Sequence, residues 1–383
     1  MRLVYFSNSR IPTEKGYGIQ IMKMCRSFAE ILPAVDLIIP TKKNEPFRNI
    51  NPFDYYQANR NFKIKKIKCY DPAWIAKRLP QGFYIKIQAL FFMISLFFYL
   101  LLKKNKAAYV FYTRDEYLLP LLQLFSKRVV WEAHTLPRTV KYYLQYWRKC
   151  FRLIAITQGL KNELMSFGLP SERILVAPDG VDLSEFNNVQ SSKKELREQL
   201  GLPMNKNIIM YTGHLYDWKG VQGLADAAKF LTDQELVVFI GGSEEKFDLG
   251  SFREKNQDNK RILILGYKPY GQIPFYLKSA DVLILPNSSQ DKKSFFWTSP
   301  LKLFLYLASQ VPIVASDLPS IREILNETNA VLVEPDNPGA MALGIKTILA
   351  HADLAAKLAA QGYEDVQSHT WQKRARGIIE FLK

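Results

Sequence analysis

The sequence predicts two α/β domains, each built on a parallel sheet, and three observations carry this. The chain has 383 residues, enough for two such domains with a core apiece. Short apolar runs bounded by turn residues alternate with helical patterns through both halves. Between Trp297 and Leu325, a Thr-Ser-Pro helix start, an apolar helix face, a buried strand and a second helix start follow one another directly. A strand that turns straight into a helix leaves backbone N–H groups free at the carboxyl edge of its sheet, where α/β proteins hold phosphates.

In the first domain, Leu3 to Phe6 reads as a strand rather than a signal peptide, and Ile19 to Leu32 as the helix after it. Gly16-Tyr17-Gly18 falls in the loop between, where glycines let the backbone approach a ligand. Strands follow at Asp36 to Ile39, around Ile64 to Cys69, at Ala108 to Tyr112 with Thr113-Arg114-Asp115 at its end, and at Val129 to Glu132. His134 stands just past the last of these, at the sheet edge where doubly wound folds place ligands. Leu153 to Ile156 and Gln158 to Phe167 form the next strand and helix. Ile174 to Asp182 closes a domain of residues 1–186, with a polar linker near Asn187 to Lys194.

The second domain, residues 187–370, opens with the strand Ile208 to Tyr211 and the turn Thr212 to Gly220. Lys219 begins a helix there, a position that opposes the helix dipole unless an anion is held. Strands recur at Leu236 to Ile240, Ile262 to Leu265, Val282 to Leu285 and Val311 to Ala315. Before the last of them, Thr298 or Ser299 can cap a helix with Pro300 at its first position, and Leu301, Phe304, Leu305 and Ala308 share one face. Helices near Pro338 to Ala350, Leu354 to Ser368 and Trp371 to Leu382 end the chain.

Composition narrows the function classes. At 48% hydrophobic and 23% charged, the chain is neither disordered nor an integral membrane protein as a whole. Cys25, Cys69 and Cys150 lack metal-ligand spacing and read as buried free thiols. The net charge is +16, and most of the excess lies between Arg60 and Lys106, where eleven basic residues meet one acid, Asp71. Within that segment runs an apolar stretch, Ala89 to Leu102, shorter than the about 20 residues a bilayer span needs. It reads either as a buried core helix or as a helix resting on an anionic membrane held by flanking lysines. The segment lacks the interleaved basic and aromatic residues of a nucleic-acid reader, so no nucleic-acid partner is expected.

Ser299-Pro300-Leu301-Lys302-Leu303-Phe304, followed by Val311 to Glu323, resembles the donor-nucleotide signature of the retaining glycosyltransferases of family four, the glycosyl transferases group 1. The resemblance implies the GT-B architecture, two doubly wound Rossmann-like domains facing across a cleft, with the last helix, 371–383, crossing back to the first domain. It implies transfer of a sugar from a nucleotide-sugar, with retention, to a glycan or lipid-linked acceptor, and a cytoplasmic protein peripheral on the membrane. By the same resemblance, His134, in its Glu-Ala-His context, contacts the transferred sugar. Lys219 and His214 face the donor diphosphate, Gly16 and Gly18 lie beside it, and Tyr267 sits where the base is read. Ser299, Pro300, Leu301, Lys302 and position 305 complete the donor site. No Asp-x-Asp and no ligand-spaced cluster is present, so neither metal nor other cofactor is expected. Two positions depart from the family: Leu305 and Trp297 stand where it usually carries glutamates. They motivate an alternative reading, a catalytically impaired GT-B protein that binds without transferring.

Overall fold

The computed structural model describes residues 1–75, 83–104, 106–242 and 249–383. Two compact units divide it: Met1–Ala177 with Trp371–Lys383, and Pro178–Thr370. The first is built on seven parallel strands: β1 (Arg2–Phe6), β2 (Val35–Pro40), β3 (Lys63–Ile67), β4 (Tyr109–Thr113), β5 (Val129–Ala133), β6 (Arg152–Ala155) and β7 (Ile174–Val176). Their spatial order is β3-β2-β1-β4-β5-β6-β7. The central strands are buried along nearly their whole length, which is why they read as continuous apolar runs rather than alternating ones. The direction of winding reverses between β1 and β4, so the ligand crevice of this fold belongs at their carboxyl ends.

The second unit repeats the plan with β8 (Asn207–Thr212), β9 (Glu235–Ile240), β10 (Ile262–Gly266), β11 (Val282–Leu285), β12 (Ile313–Ser316) and β13 (Val331–Val333). Their order is β10-β9-β8-β11-β12-β13, all neighbours parallel, with the reversal between β8 and β11.

Four sequence expectations are corrected here. The unit boundary falls at Ala177/Pro178, not at 186/187, because Val181 bridges to Thr370 and Phe186 is buried within the second unit. The polar stretch 187–194 is not a linker: Ser192 and Glu195 form a reciprocal capping box that starts the helix Lys193–Leu200. Gly16-Tyr17-Gly18 is not a loop but the first turn of the helix Gly16–Ala29. Cys25 and Cys150 are buried free thiols as read, but Cys69 is only half-buried.

The apolar run also proves longer than it reads. It lies in a helix of 20 residues, Phe83–Leu102, long and apolar enough by length and composition to cross a membrane. One stripe of it, Gln88, Ala89, Phe92, Leu96 and Leu100, is buried against the first unit. These residues recur every three or four positions, as expected for a helix lying on a core. The opposite stripe is exposed, with Leu90, Ile94, Phe98 and Leu101 each about half open to solvent. Lys63, Lys65 and Lys66 of the exposed strand β3 lie in the same unit. Lys77 and Arg78, counted in the basic excess, lie outside the described residues.

Candidate functional site

Each sheet carries its polar chemistry at its carboxyl edge. In the first unit β5 is fully buried, Glu132 included. Burial works against the charge of Glu132, yet the Arg374 guanidinium and the hydrogen bond from His134 hold its carboxyl well below the usual carboxylate range. Its oxygens accept from Gln20 Nε2 at 2.5 Å, from the Tyr112 hydroxyl and from Arg374, whose Nη2 lies 3.2 Å from Oε1. Arg374 comes from the last helix, Trp371–Phe381, and donates in addition to the carbonyl of Ala177 at 3.0 Å.

His134 lies at 2.6 Å from Glu132 through Nε2, and its side chain keeps 14% of its surface open. Burial and the Arg114 cation push its pKa down to about 4, against the pull of Glu132. At neutral pH the imidazole is therefore uncharged. A carboxylate can only accept, so Nε2 carries the proton and Nδ1 is left as an acceptor. Among the described residues Arg114 is held by Gln20 Oε1, to which its Nη1 donates at 3.0 Å. Gly18 does not open space for a ligand, since the Tyr56 hydroxyl fills the position its Cβ would take. Gly16 opens the helix behind Lys15, which supplies no side-chain cap.

In the second unit the winding reversal brings the end of β8 beside that of β11. Gly213 follows β8 with φ of 126°, and a Cβ there would stand 3.8 Å from Lys302 Nζ and 3.9 Å from Lys219 Nζ. Two lysine amino groups thus converge on one bare stretch of backbone. Lys302 is buried, its Nζ donates no hydrogen bond among the described residues, and it lies over the face of Tyr211, 3.7 Å from the ring centroid. Burial, then the nearby Lys219 charge, drives the Lys302 pKa well down, and burial lowers that of Lys219 to about 8. Among the described residues neither forms an ion pair. Lys219 stands instead beside an aromatic stack of His214, Tyr216 and Trp218. His214 contributes its carbonyl to the Tyr211 hydroxyl at 2.7 Å. Gly220, φ 68°, admits no other residue, because a Cβ would strike the carbonyl of Pro286 at the end of β11.

The helix Leu301–Ala308 points its first turn into this region through Lys302. Its N-cap is Pro300, without a side-chain cap, so Pro300 is not the first helical residue. Ser299 caps nothing, because its hydroxyl accepts from the Asp179 N–H at 3.0 Å. The uncapped turn leaves the backbone donors of Leu301 and Lys302 without helical acceptors. Leu305 is buried, one turn beyond Lys302, and Trp297 is buried with Lys292 over its ring. Tyr267 follows β10 and Gly266, and is 44% exposed.

The structure therefore groups Lys219, Lys302, His214 and the start of the 301–308 helix, and separately His134 with Glu132. Gly213, Tyr211, Glu132, Gln20 and Arg374 were missed as site residues. A glutamate inside an apolar strand and a glycine directly after a strand were the signals for two of them.

Residues 192–365 match the family model described as Glycosyl transferases group 1. The chain is 28% identical over 217 residues to the putative teichuronic acid biosynthesis glycosyltransferase TuaC of Bacillus subtilis, covering 56% of this chain and 51% of that one. It is 29% identical over 171 residues to the UDP-Gal:alpha-D-GlcNAc-diphosphoundecaprenol alpha-1,3-galactosyltransferase of Escherichia coli, covering 42% and 41%. The alignments thus span about half the length of these curated relatives. Among solved structures, HepE of Anabaena, in complex with UDP and glucose, superposes with a TM-score of 0.76 at 15% identity, over 99% of this chain and 98% of HepE. The match to glycosyl transferases group 1 thus lies in the second unit, within a chain of GT-B fold.

Proposed function

We propose that the protein transfers a sugar from a nucleotide-sugar to a glycan or lipid-linked acceptor, with retention of anomeric configuration and without a metal. The observation that carries this is the pair of lysines at Gly213, Lys302 buried and Lys219 half-buried, which form no ion pair among the described residues. An isolated buried ammonium costs several kcal/mol unless it meets an anion, and a diphosphate is the anion a nucleotide-sugar brings. Lys219, Lys302 and the free N–H groups of the 301–308 helix stabilise the charge that grows on the leaving phosphate as the glycosidic bond breaks. His134, held neutral in one tautomer, contacts the transferred sugar through Nδ1. The E. coli relative, by its name, uses UDP-galactose and a diphosphoundecaprenol-linked sugar, and HepE holds UDP, which supports this donor and acceptor class.

A membrane surface fits the same reading. The exposed stripe of the helix Phe83–Leu102 would rest in the interface of an anionic bilayer, with Lys86 in the helix and Lys65 over its Tyr99 ring. Co-sedimentation with anionic vesicles should weaken as salt is raised; equal binding to neutral vesicles would remove the membrane from the proposal.

The test of function is nucleotide release. The purified protein is supplied in turn with UDP-, GDP- and ADP-sugars and a set of polyprenyl-diphosphate glycans, and free nucleotide is measured. Acceptor-dependent release from one donor is expected. Nucleotide binding without release would favour the rival reading that Leu305 and Trp297 motivate, a binding protein on a glycosyltransferase fold.

A further inference from the structure

A second cationic site lies in the first unit, and nothing in the chemistry above uses it. Arg10 after β1, Lys42, Lys43 and Arg48 after β2, and Lys66 of β3 line a cavity of about 320 Å³ with one acid, Glu45, among them. It opens at the carboxyl ends of β1, β2 and β3, the ligand edge of this sheet. Its floor is built rather than incidental. Lys42 is half-buried, donates to the carbonyl of Asn8, and has its pKa lowered to about 8 by burial. Asn44 Nδ2 ties the loop after β2 to the carbonyl of Pro12 at 2.7 Å, and the backbone of Lys43 donates to Asp71 at 2.9 Å.

The cavity is joined to the apolar helix. Arg10 Nη2 donates to the Tyr84 hydroxyl at 3.4 Å, and Tyr84 in turn donates to Asp71. Asn8 donates to Gln88 of the same helix at 2.8 Å. The helix Phe83–Leu102 therefore begins at the wall of a cationic cavity and runs away from it with its outer stripe exposed.

We propose that this cavity holds the diphosphate of a lipid-linked acceptor, whose hydrocarbon follows the exposed stripe of the helix Phe83–Leu102. Five cations against one acid suit a multiply charged group better than a single carboxylate, and guanidinium and ammonium donors together match phosphate oxygens. The inference rests on the reading of the protein as a glycosyltransferase with a lipid-linked acceptor.

Inorganic pyrophosphate and farnesyl diphosphate, titrated calorimetrically, serve as probes. Wild type should bind pyrophosphate at two sites. Arg48→Glu with Lys66→Glu, both exposed and free to change without disturbing the core, should weaken one of them by about tenfold or more and leave UDP binding unchanged. Lys42→Met should act in the same direction. Lys302→Met should remove the other site together with UDP and spare this one, so failure of the donor assignment and failure of this one are told apart. Farnesyl diphosphate should bind the cavity more tightly than pyrophosphate; equal affinity would overturn the path assigned to the hydrocarbon. Pyrophosphate binding unchanged in Arg48→Glu/Lys66→Glu would overturn the site.

Discussion

The two sheet edges manage buried charge in opposite ways. At Glu132 the charge is completed within the protein: Gln20, Tyr112, His134 and Arg374 all direct donors at one carboxylate. At Gly213 it is left open, with Lys219 and Lys302 close together and no ion pair to either among the described residues. A completed network holds a shape, here the neutral His134 ring and the final helix. An incomplete one stores an unfavourable energy that a ligand of opposite charge can relieve. The contrast indicates where positioning ends and binding begins.

The sharpest break in that comparison is a pair of substitutions with effects of opposite sign on stability. Glu132→Gln leaves Arg374 buried without its counter-charge and should lower stability by about 3–5 kcal/mol, read from urea midpoints. Lys302→Met removes a buried amino group that no described residue hydrogen-bonds, so its urea midpoint should rise. The same variant should bind nucleoside diphosphate roughly tenfold to a hundredfold more weakly, the loss expected for a hydrogen bond to a charged group. If Lys302→Met is destabilised instead, the open charge at Gly213 is not what the comparison takes it to be.

A smaller effect sharpens the donor side. In the resembled family a glutamate at position 305 accepts from the ribose hydroxyls, and Leu305 can accept nothing. Leu305→Glu should tighten nucleotide binding about tenfold, on the order of 1.4 kcal/mol. Unchanged affinity in calorimetry would place the ribose elsewhere. On the other edge, His134→Ala should reduce turnover while donor affinity stays within about twofold; loss of nucleotide binding would contradict its assignment to the sugar.

The smallest effect is on pH. Burial lowers the Lys219 pKa from its ordinary 10.5 to about 8. Between those values the unfolded chain binds more protons, so stability of the free protein should rise with pH across that window. Nucleotide affinity should fall across the same window, because a diphosphate favours the charged lysine. Calorimetry at pH 7 and pH 10 measures this; an affinity that rises with pH would exclude Lys219 from the diphosphate.

Much of the architecture was legible because its signals are local. The buried parallel strands announce themselves as apolar runs, and Ser299-Pro300-Leu301-Lys302 and Thr212-Gly213 mark strand and helix ends by residue type. Even the misplaced linker had a local signal, the Ser192 and Glu195 spacing of a capping box. The helix Phe83–Leu102 was underestimated for a related reason: its first turns mix Tyr84, Lys86 and Gln88 with apolar residues, and only packing shows which of them face inward.

By itself the sequence determined the two α/β halves, the cationic character of the 60–106 segment, and Lys302 at the start of its helix; Lys219, read as beginning a helix, instead ends the short turn Asp217–Lys219 before Gly220 caps the helix Val221–Ala227. Those properties follow from composition and short-range spacing. Only the tertiary structure decided that Lys219 and Lys302, distant in sequence, share Gly213, and that Gly18 makes room for Tyr56 rather than for a ligand. It also decided that Arg374 from the far end of the chain completes the charge of Glu132. The physical reason is the same in each case. A charge's partner, or its lack of one, is set by which strand ends the sheet order brings together, and that order is not written in any single stretch of the chain.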